Sequence, residues 1–190
     1  MRIPRDFLLI LILLNGIVSG LFGAESRREA VLRLVSESRA KYTTPESWAE
    51  RRIEVREGFL QGAGLWPLPA RTALQPIVHS RRSFGDYVVE NIALQTMPGL
   101  YCTGNLYRPL DRKQPGPGVL CPHGHFQPLG RMRAEHQIRC AQLARMGATV
   151  FSYSMVGWQD SRQTTHDDPL VLALQTWNSI RALDFVGELP

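Results

Sequence analysis

The chain has 190 residues, of which 44% are hydrophobic and 21% are charged, with 16 Gly and 13 Pro. This length allows one domain or two, and the ordinary composition excludes collagen-like, coiled-coil and wholly disordered proteins. Basic residues exceed acidic ones by 22 to 17, but the two kinds are interleaved along the chain. A nucleic-acid-binding face needs clustered positive charge, so we predict no nucleic-acid partner.

The first residues have the pattern of a secretory signal. Arg2 and Arg5 precede an apolar run from Phe7 to Val18 that is interrupted by Asn15. A positive start followed by a short apolar segment is typical of a signal peptide, whereas a membrane-spanning helix needs about 20 apolar residues. We therefore predict that residues 1–24 direct export to the periplasm or the medium, and that the protein meets a membrane only through this segment if it stays uncleaved.

Three cysteines, Cys102, Cys121 and Cys140, lie within apolar stretches, and none belongs to a C-x-x-C pair. This spacing argues against a structural zinc site, and free buried cysteines behave as small hydrophobic residues. A disulfide between two of them stays open, because an exported protein meets an oxidising compartment.

Helical patterns follow the signal segment. Residues 26–40 carry apolar side chains at helical spacing, and Thr44-Pro45 is a start signal for a second helix that runs toward Leu60. We predict a helical extension over residues 25–83 and assign no chemistry to it.

The periodicity changes at Tyr87. Residues 87–96 are rich in Val, Ile and Leu, and Met97-Pro98-Gly99-Leu100 places Pro and Gly where a type II turn requires them. Apolar and polar residues then alternate through Tyr107, which predicts an antiparallel β-hairpin. A turn-rich loop leads from there to a short strand at residues 119–121.

Helices and strands alternate in the remaining sequence. We predict a helix over residues 131–146, a buried strand over 148–154 and a second helix that starts at Asp168-Pro169. The predicted buried positions of the first helix are Ile138, Ala141 and Ala144. In the second helix the predicted apolar positions are Leu170, Leu174, Trp177 and Leu183, and the polar ones are Gln175, Asn178 and Arg181. This order predicts an α/β fold with a mostly parallel sheet over residues 84–190.

Two loops leave the carboxyl ends of the predicted strands, where α/β proteins bind ligands. The first contains His123-Gly124-His125, and the second contains Trp158-Gln159-Asp160. A Gly after a strand lets the backbone turn sharply and brings an N–H group close to a ligand. Stabilising the oxyanion of an acyl transfer requires such a donor. Asp160 and Ser161 are interpreted as structural, since short polar side chains bond to nearby backbone.

From about residue 84 the chain resembles the N-terminal half of an α/β-hydrolase esterase of the acetyl xylan esterase-like kind. The matching stretches are Pro98-Gly99, Gly104–Pro109, Cys121–His125 and Gly157–Ser161. The resemblance implies that the backbone N–H of His125 is an oxyanion donor, with that of Phe126 as the near alternative. It also implies a small-molecule or carbohydrate ester as substrate, and no cofactor. We name His123, Trp158 and Gln159 as candidate substrate-binding residues.

Esterases of this kind use a Ser nucleophile in a G-x-S-x-G motif, followed along the chain by an acid and a His. This sequence contains no such motif: Ser154 lacks the first Gly and ends the preceding strand. We therefore expect the chain to be a fragment that stops before the nucleophile strand. The hypothesis is an exported serine carboxylic-ester hydrolase whose triad is not in this chain.

Two other functions stay open. The His-x-His pattern after an apolar strand is also typical of a metal-dependent hydrolase, in which His136, Asp160 and His166 would add ligands. A non-catalytic remnant or binding protein is the second alternative, because the nucleophile is missing.

Overall fold

The computed structural model describes residues 26–111 and 114–189, so the predicted signal segment lies outside the described residues. The chain divides into two compact units, Met1–Arg56 and Glu57–Pro190. None of the helices in the described ranges has both the length and the apolar character of a membrane span.

Helices α1 (Arg27–Lys41) and α2 (Pro45–Gly62) begin at residues that cap them. The Ser26 side chain accepts a hydrogen bond from the backbone N–H of Glu29, and the Glu29 carboxylate accepts one from the backbone of Ser26. The Thr44 hydroxyl likewise accepts from the backbone N–H of Ser47, as predicted for the start of α2. No residue of α1 is buried.

A five-stranded sheet forms the centre of the second unit, with strand order β1-β2-β3-β5-β4. The strands are β1 (Ile77–Ser83), β2 (Tyr87–Met97), β3 (Leu100–Pro109), β4 (Gly118–Leu120) and β5 (Thr149–Tyr153). The helices of this unit are α3 (Ala134–Arg145), which follows a short 3₁₀ turn at Gly130–Met132, and α4 (Val171–Glu188).

The sheet is mixed, which corrects the prediction of a mostly parallel sheet. β1 with β2, β2 with β3 and β3 with β5 pair antiparallel, and of the described pairings only that of β4 with β5 is parallel. Short connections such as the turn at Gly99 (φ 77°) can join only antiparallel neighbours, whereas α3 provides the long crossover that a parallel pair needs. The α/β class is confirmed in this coarser form.

The helical extension was predicted to reach residue 83, but a strand already begins at Ile77. Residues Ile77–Ser83 form β1, whose register with β2 runs from Ile77 opposite Ala93 to Ser83 opposite Val88. The seven residues of β1 are all exposed, so its sequence lacks the apolar alternation by which a half-buried strand is recognised.

One helix covers each face of the sheet. α4 packs with Ile92, Leu94 and Phe151 on one face, and α3 packs with Tyr107 and Val150 on the other. Neighbouring residues such as Val150 and Phe151 thus enter different cores, as the alternation of a strand requires. Ile138 of α3 was predicted to be buried but is 59% exposed, because the helix turns Cys140 and Ala144 toward the sheet and His136 toward the first loop.

The buried face of α4 is partly polar, contrary to the prediction. Asn178 and Arg181 are buried, while Leu170 and Leu183 are exposed. Asn178 accepts a hydrogen bond from the Thr96 hydroxyl, and Arg181 donates to the backbone carbonyl of Thr72. These bonds compensate for burying the Asn178 amide oxygen and part of the Arg181 guanidinium, whose Nε has no hydrogen-bond partner among the described residues, so polarity did not predict exposure here.

All three cysteines are buried and free. Burial raises the pKa of the Cys102 thiol to about 12, so this thiol stays protonated and unreactive at neutral pH.

Candidate functional site

The two loops singled out in the sequence follow β4 and β5, which are parallel neighbours. Because the carboxyl ends of parallel neighbours meet at one edge of the sheet, residues 121–130 and 154–168 lie side by side there. Their contacts bring His123, His125, Trp158 and His166 into one aromatic cluster.

His123 joins the two loops through both of its ring nitrogens. Its Nδ1 lies 2.8 Å from the carbonyl oxygen of Gly124, and its Nε2 lies 3.1 Å from the backbone nitrogen of Met155. A carbonyl can only accept, so Nδ1 carries the proton and Nε2 accepts from the Met155 N–H. Burial lowers the pKa of this imidazole, which keeps it neutral. The buried ring therefore holds the loops together, and neither nitrogen is left for a ligand.

The backbone of the first loop distinguishes the two candidate oxyanion donors. The N–H of Phe126 donates to the carbonyl of Gly124 at 2.8 Å. The N–H of His125 has no acceptor among the described residues. Of the two predicted donors, the geometry leaves that of His125 available.

The His125 side chain is held by the second loop. His166 Nδ1 lies 2.8 Å from the carbonyl oxygen of Val156, and its Nε2 lies 2.8 Å from Nε2 of His125. In neutral His166 the proton is on Nδ1, so His125 donates from Nε2. The Trp158 ring lies 5.9 Å from both imidazoles and is itself buried. Trp158 thus packs edge-on against both imidazoles and is largely covered by its surroundings.

Gln159 has a strained backbone and a confined side chain. Its φ is 44°, which L-residues rarely adopt, and its Oε1 is buried without a hydrogen-bond partner. The side-chain amide lies against Gly130, where a Cβ atom would collide with it. Residues in such conformations are held by their surroundings and cluster at functional sites.

Sequence reasoning missed the residue that connects these loops to the sheet. Arg131 is 3% exposed, and it donates to the Ser154 hydroxyl, to Asn105 and to both carboxylate oxygens of Asp160. Thr103 of β3 donates to the same carboxylate at 2.7 Å. The signal in the sequence was only an Arg after a Gly near a helix start, and its partners are 23 to 29 positions away.

The charge of Asp160 is stabilised by this network. Burial alone would raise the pKa of its carboxyl group, but the hydrogen bond from Thr103 and the positive charge of Arg131 outweigh that effect and hold the pKa below its ordinary value. Asp160 therefore stays ionised at neutral pH. This contact set agrees with the structural interpretation of Asp160 and Ser161, whose hydroxyl also bonds to Thr103.

Ser154 is buried and lacks the surroundings of a nucleophile. Its hydroxyl accepts from Arg131 and lies 3.1 Å from an Asp160 oxygen, to which it donates. A Ser nucleophile needs a base such as His within hydrogen-bond reach, and no described hydrogen bond joins Ser154 to an imidazole.

The His-x-His rings do not converge on a common point. Both nitrogens of His123 bond to backbone, while His125 bonds to His166. Within the described ranges no group of three or more His, Cys, Asp or Glu side chains could hold a metal ion. His136 and Asp160, the other nominal ligands, contact Arg139 and Arg131.

Three solved structures are similar to this chain to different degrees. Methylesterase BT1017 superposes with a TM-score of 0.70 and 32% identity over 80% of this chain and 35% of its own length. A Bacteroides fragilis protein provisionally named an acetyl xylan esterase gives a TM-score of 0.59 and 12% identity over 78% of this chain and 46% of its own. A glucuronoyl esterase from Solibacter usitatus gives 0.48 and 14%, over 78% and 50%.

The predicted resemblance to α/β-hydrolase-type esterases is thereby confirmed. This chain spans between about a third and a half of the length of these proteins. No family model matches the sequence, and no curated protein does.

Proposed function

We propose that this chain, which has the fold of α/β-hydrolase-type esterases, supplies the oxyanion-stabilising half of an exported serine carboxylic-ester hydrolase. The observation that carries the proposal is the unpartnered backbone N–H of His125, in a turn at the carboxyl edge of parallel strands. The 32% identity to a methylesterase supports the same chemistry.

In the proposed mechanism the N–H of His125 donates to the ester carbonyl oxygen as negative charge develops on it. A preorganised donor of this kind contributes on the order of 10²–10³ in kcat. The contacts of the His125 ring with His166 and Trp158 fix the peptide that carries the donor. Nucleophile, acid and base follow the oxyanion loop in chain order in this fold, so we place all three beyond Pro190.

Two versions of the protein test this proposal. We expect the 190-residue chain to show no labelling by a fluorophosphonate probe above background. Ser154 bonds to Arg131 and Asp160 instead of a His, and the Ser80 hydroxyl, 2.8 Å from Nδ1 of its neighbour His79, lies on β1 at the opposite edge of the sheet from β4. A chain extended along the reading frame past Pro190 should contain a G-x-S-x-G motif, bind the probe and hydrolyse an aryl ester. A coding sequence without that motif, or full labelling of the 190-residue chain, would contradict the proposal, and the second result would point to Ser154 or to Ser80, which bonds to His79.

The extended chain also tests the donor itself. Gly124→Val should lower kcat by about 10² or more, because a β-branched residue in this turn displaces the neighbouring N–H group. A Cβ atom at Gly124 meets only the Phe126 ring, at 3.2 Å, so Gly124→Ala is the matched variant and should keep most activity. Full activity of Gly124→Val would remove His125 from the mechanism.

We further propose that the ester belongs to a carbohydrate, such as an acetyl or methyl ester of a polysaccharide. The name of the acetyl xylan esterase supports the carbohydrate part of this proposal, and the name of the methylesterase supports a methyl ester. Hydrolysis of acetylated xylan or of methyl-esterified pectin by the extended chain, at a kcat/KM above that for p-nitrophenyl acetate, is the expected result. A preference for the aryl ester would contradict it.

A further inference from the structure

A groove of about 410 Å³ lies between α3 and the face that β1, β2 and β3 turn toward that helix. This volume is within the range of small-molecule sites. Neither His125 nor any residue of the second loop lines the groove, which touches the candidate-site network at Asn105, the acceptor of a hydrogen bond from Arg131. We call it the side groove.

One wall of the side groove is aromatic. The rings of Phe84 and Tyr87 are stacked with centroids 5.3 Å apart and planes 14° apart, and Tyr107 continues the stack 6.4 Å from Tyr87. Phe84, at the outer end, is 48% exposed. The stacked rings cover one another's faces and the Arg145 guanidinium lies 4.9 Å from the Tyr87 centroid, so Phe84 is the ring that can pack against an apolar ligand face, such as the C–H face of a pyranose sugar.

Two amide groups, one on the same strand as Tyr87 and one across the groove on α3, can bind hydroxyls. The Oδ1 of Asn91 accepts from both Arg82 and Asn105, and this leaves its Nδ2 free to donate. Gln142 of α3 is exposed and its side chain makes no hydrogen bond with the described residues. Side-chain amides provide both a donor and an acceptor, which is what a row of sugar hydroxyls requires.

The charge in the side groove is positive. Arg82 and Arg145 line it, and no Asp or Glu is among its lining residues. Arg145 bonds to Asp86 at 3.1 Å, whereas Arg82 bonds to the neutral Asn91 and forms no ion pair with the described residues. The unneutralised guanidinium of Arg82 favours a ligand with a carboxylate.

We propose that the side groove binds an acidic sugar, a hexuronate unit of an oligosaccharide. The pyranose ring lies on Phe84, its hydroxyls bond to Asn91 and Gln142, and its carboxylate pairs with Arg82. This inference concerns binding alone and goes beyond the proposed hydrolysis, so it holds or fails whether or not the protein cleaves esters.

A titration of the 190-residue chain with trigalacturonate, followed by calorimetry at low salt, tests this assignment. We expect binding that Arg82→Gln and Phe84→Ala each weaken by about tenfold, since a charged hydrogen bond or a ring contact is lost. Arg81→Gln is the matched control, because it removes the same charge from the same strand. Arg81 pairs with Glu90 and does not line the groove, so this variant should bind like the parent chain.

Several results would overturn the assignment. Equal binding of neutral xylotriose would exclude the carboxylate contact. Tighter binding of AMP than of trigalacturonate would show that the groove is a nucleotide site and not a sugar site. Equal weakening by Arg81→Gln would show diffuse electrostatic attraction instead of a site. Circular dichroism melts of each variant separate lost binding from lost folding, and Arg82→Lys should restore part of the affinity only if the site is real.

Discussion

At the scale of single residues, Arg131 connects more of the candidate site than any residue proposed from sequence. It bonds to β3 through Asn105, to the end of β5 through Ser154 and to the second loop through Asp160. A buried guanidinium is stable only where hydrogen bonds and a counter-charge compensate for the lost water, and both are present here. The position of the second loop therefore depends on Arg131.

Replacing Arg131 tests this dependence. We expect Arg131→Leu to lower the free energy of unfolding by about 2–3 kcal/mol, since several hydrogen bonds to a charged group are lost together. Arg133→Gln breaks an exposed pair with Glu135 and should change stability by less than about 0.5 kcal/mol. Urea unfolding monitored by Trp fluorescence measures both. Equal stability of Arg131→Leu and the parent chain would show that the network contributes nothing.

His123 makes stability depend on pH. Burial lowers its pKa, so between the folded and unfolded pKa values the unfolded chain binds the extra proton. The contribution of neutral His123 is therefore complete above the unfolded pKa of about 6.5 and declines as the pH falls below it. We expect the free energy of unfolding to decrease between pH 7.5 and pH 5.

The contribution of His123 is isolated by comparing how steeply the free energy of unfolding changes with pH in the variants and in the parent chain. His123→Gln should be less stable at pH 7.5 but should lose less stability on acidification than the parent chain. His79→Gln, at an exposed site on β1, should leave the slope unchanged. If His123→Gln keeps the full pH dependence, other groups cause it.

At the scale of elements, the pairing of β3 with β5 requires a glycine. A Cβ atom at Gly104 would lie 2.5 Å from the backbone oxygen of Ser152 and 2.6 Å from the Phe151 ring. Because backbone cannot move away as a flexible side chain can, Gly104→Ala should cost about 1–3 kcal/mol. Gly58 has no atom within 4 Å of that position and lies inside α2, so Gly58→Ala should stabilise by about 0.5–1 kcal/mol.

Thermal unfolding followed by far-ultraviolet circular dichroism measures the Tm of both variants. A lower Tm for Gly104→Ala and a slightly higher one for Gly58→Ala are expected. If Gly104→Ala leaves the Tm unchanged or raises it, the close approach of Gly104 to β5 does not limit stability.

The sequence predicted elements where one local pattern decides the structure. Alternation along β3 placed Cys102 and Leu106 on one face and Tyr107 on the other, and the two cores contain them in that arrangement. Local sequence patterns did not predict burial or strand formation where these depend on a residue far away in the sequence. Asn178 is buried because Thr96 lies opposite, and β1 is a strand because β2 pairs with it, although none of its side chains is buried.

The same distinction applies to the candidate site. A Gly after a strand and the position of the loop at a sheet edge are local features, so the His123-Gly124-His125 turn could be located from sequence. Which N–H group of the turn remains free depends on the bond from Phe126 to Gly124, and the constraint on His125 depends on a ring 41 positions away. No spacing rule contains that information.

At the scale of the whole molecule, the buried free cysteines suit either redox compartment. All three thiols are shielded from oxidants, and the second unit is held by its two sheet cores without a disulfide.

Export is the last prediction. A positive start and the apolar run of residues 7–18 should direct the chain out of the cytoplasm, with removal of about 20–24 residues. Expression with the native start, cell fractionation and intact-mass measurement would show this. Leu11→Arg should abolish export, because it places a charge inside the apolar run, whereas Arg2→Lys keeps the positive start and should be exported normally. A cytoplasmic product that retains Met1, or unchanged export of Leu11→Arg, would show that residues 1–24 are not a signal.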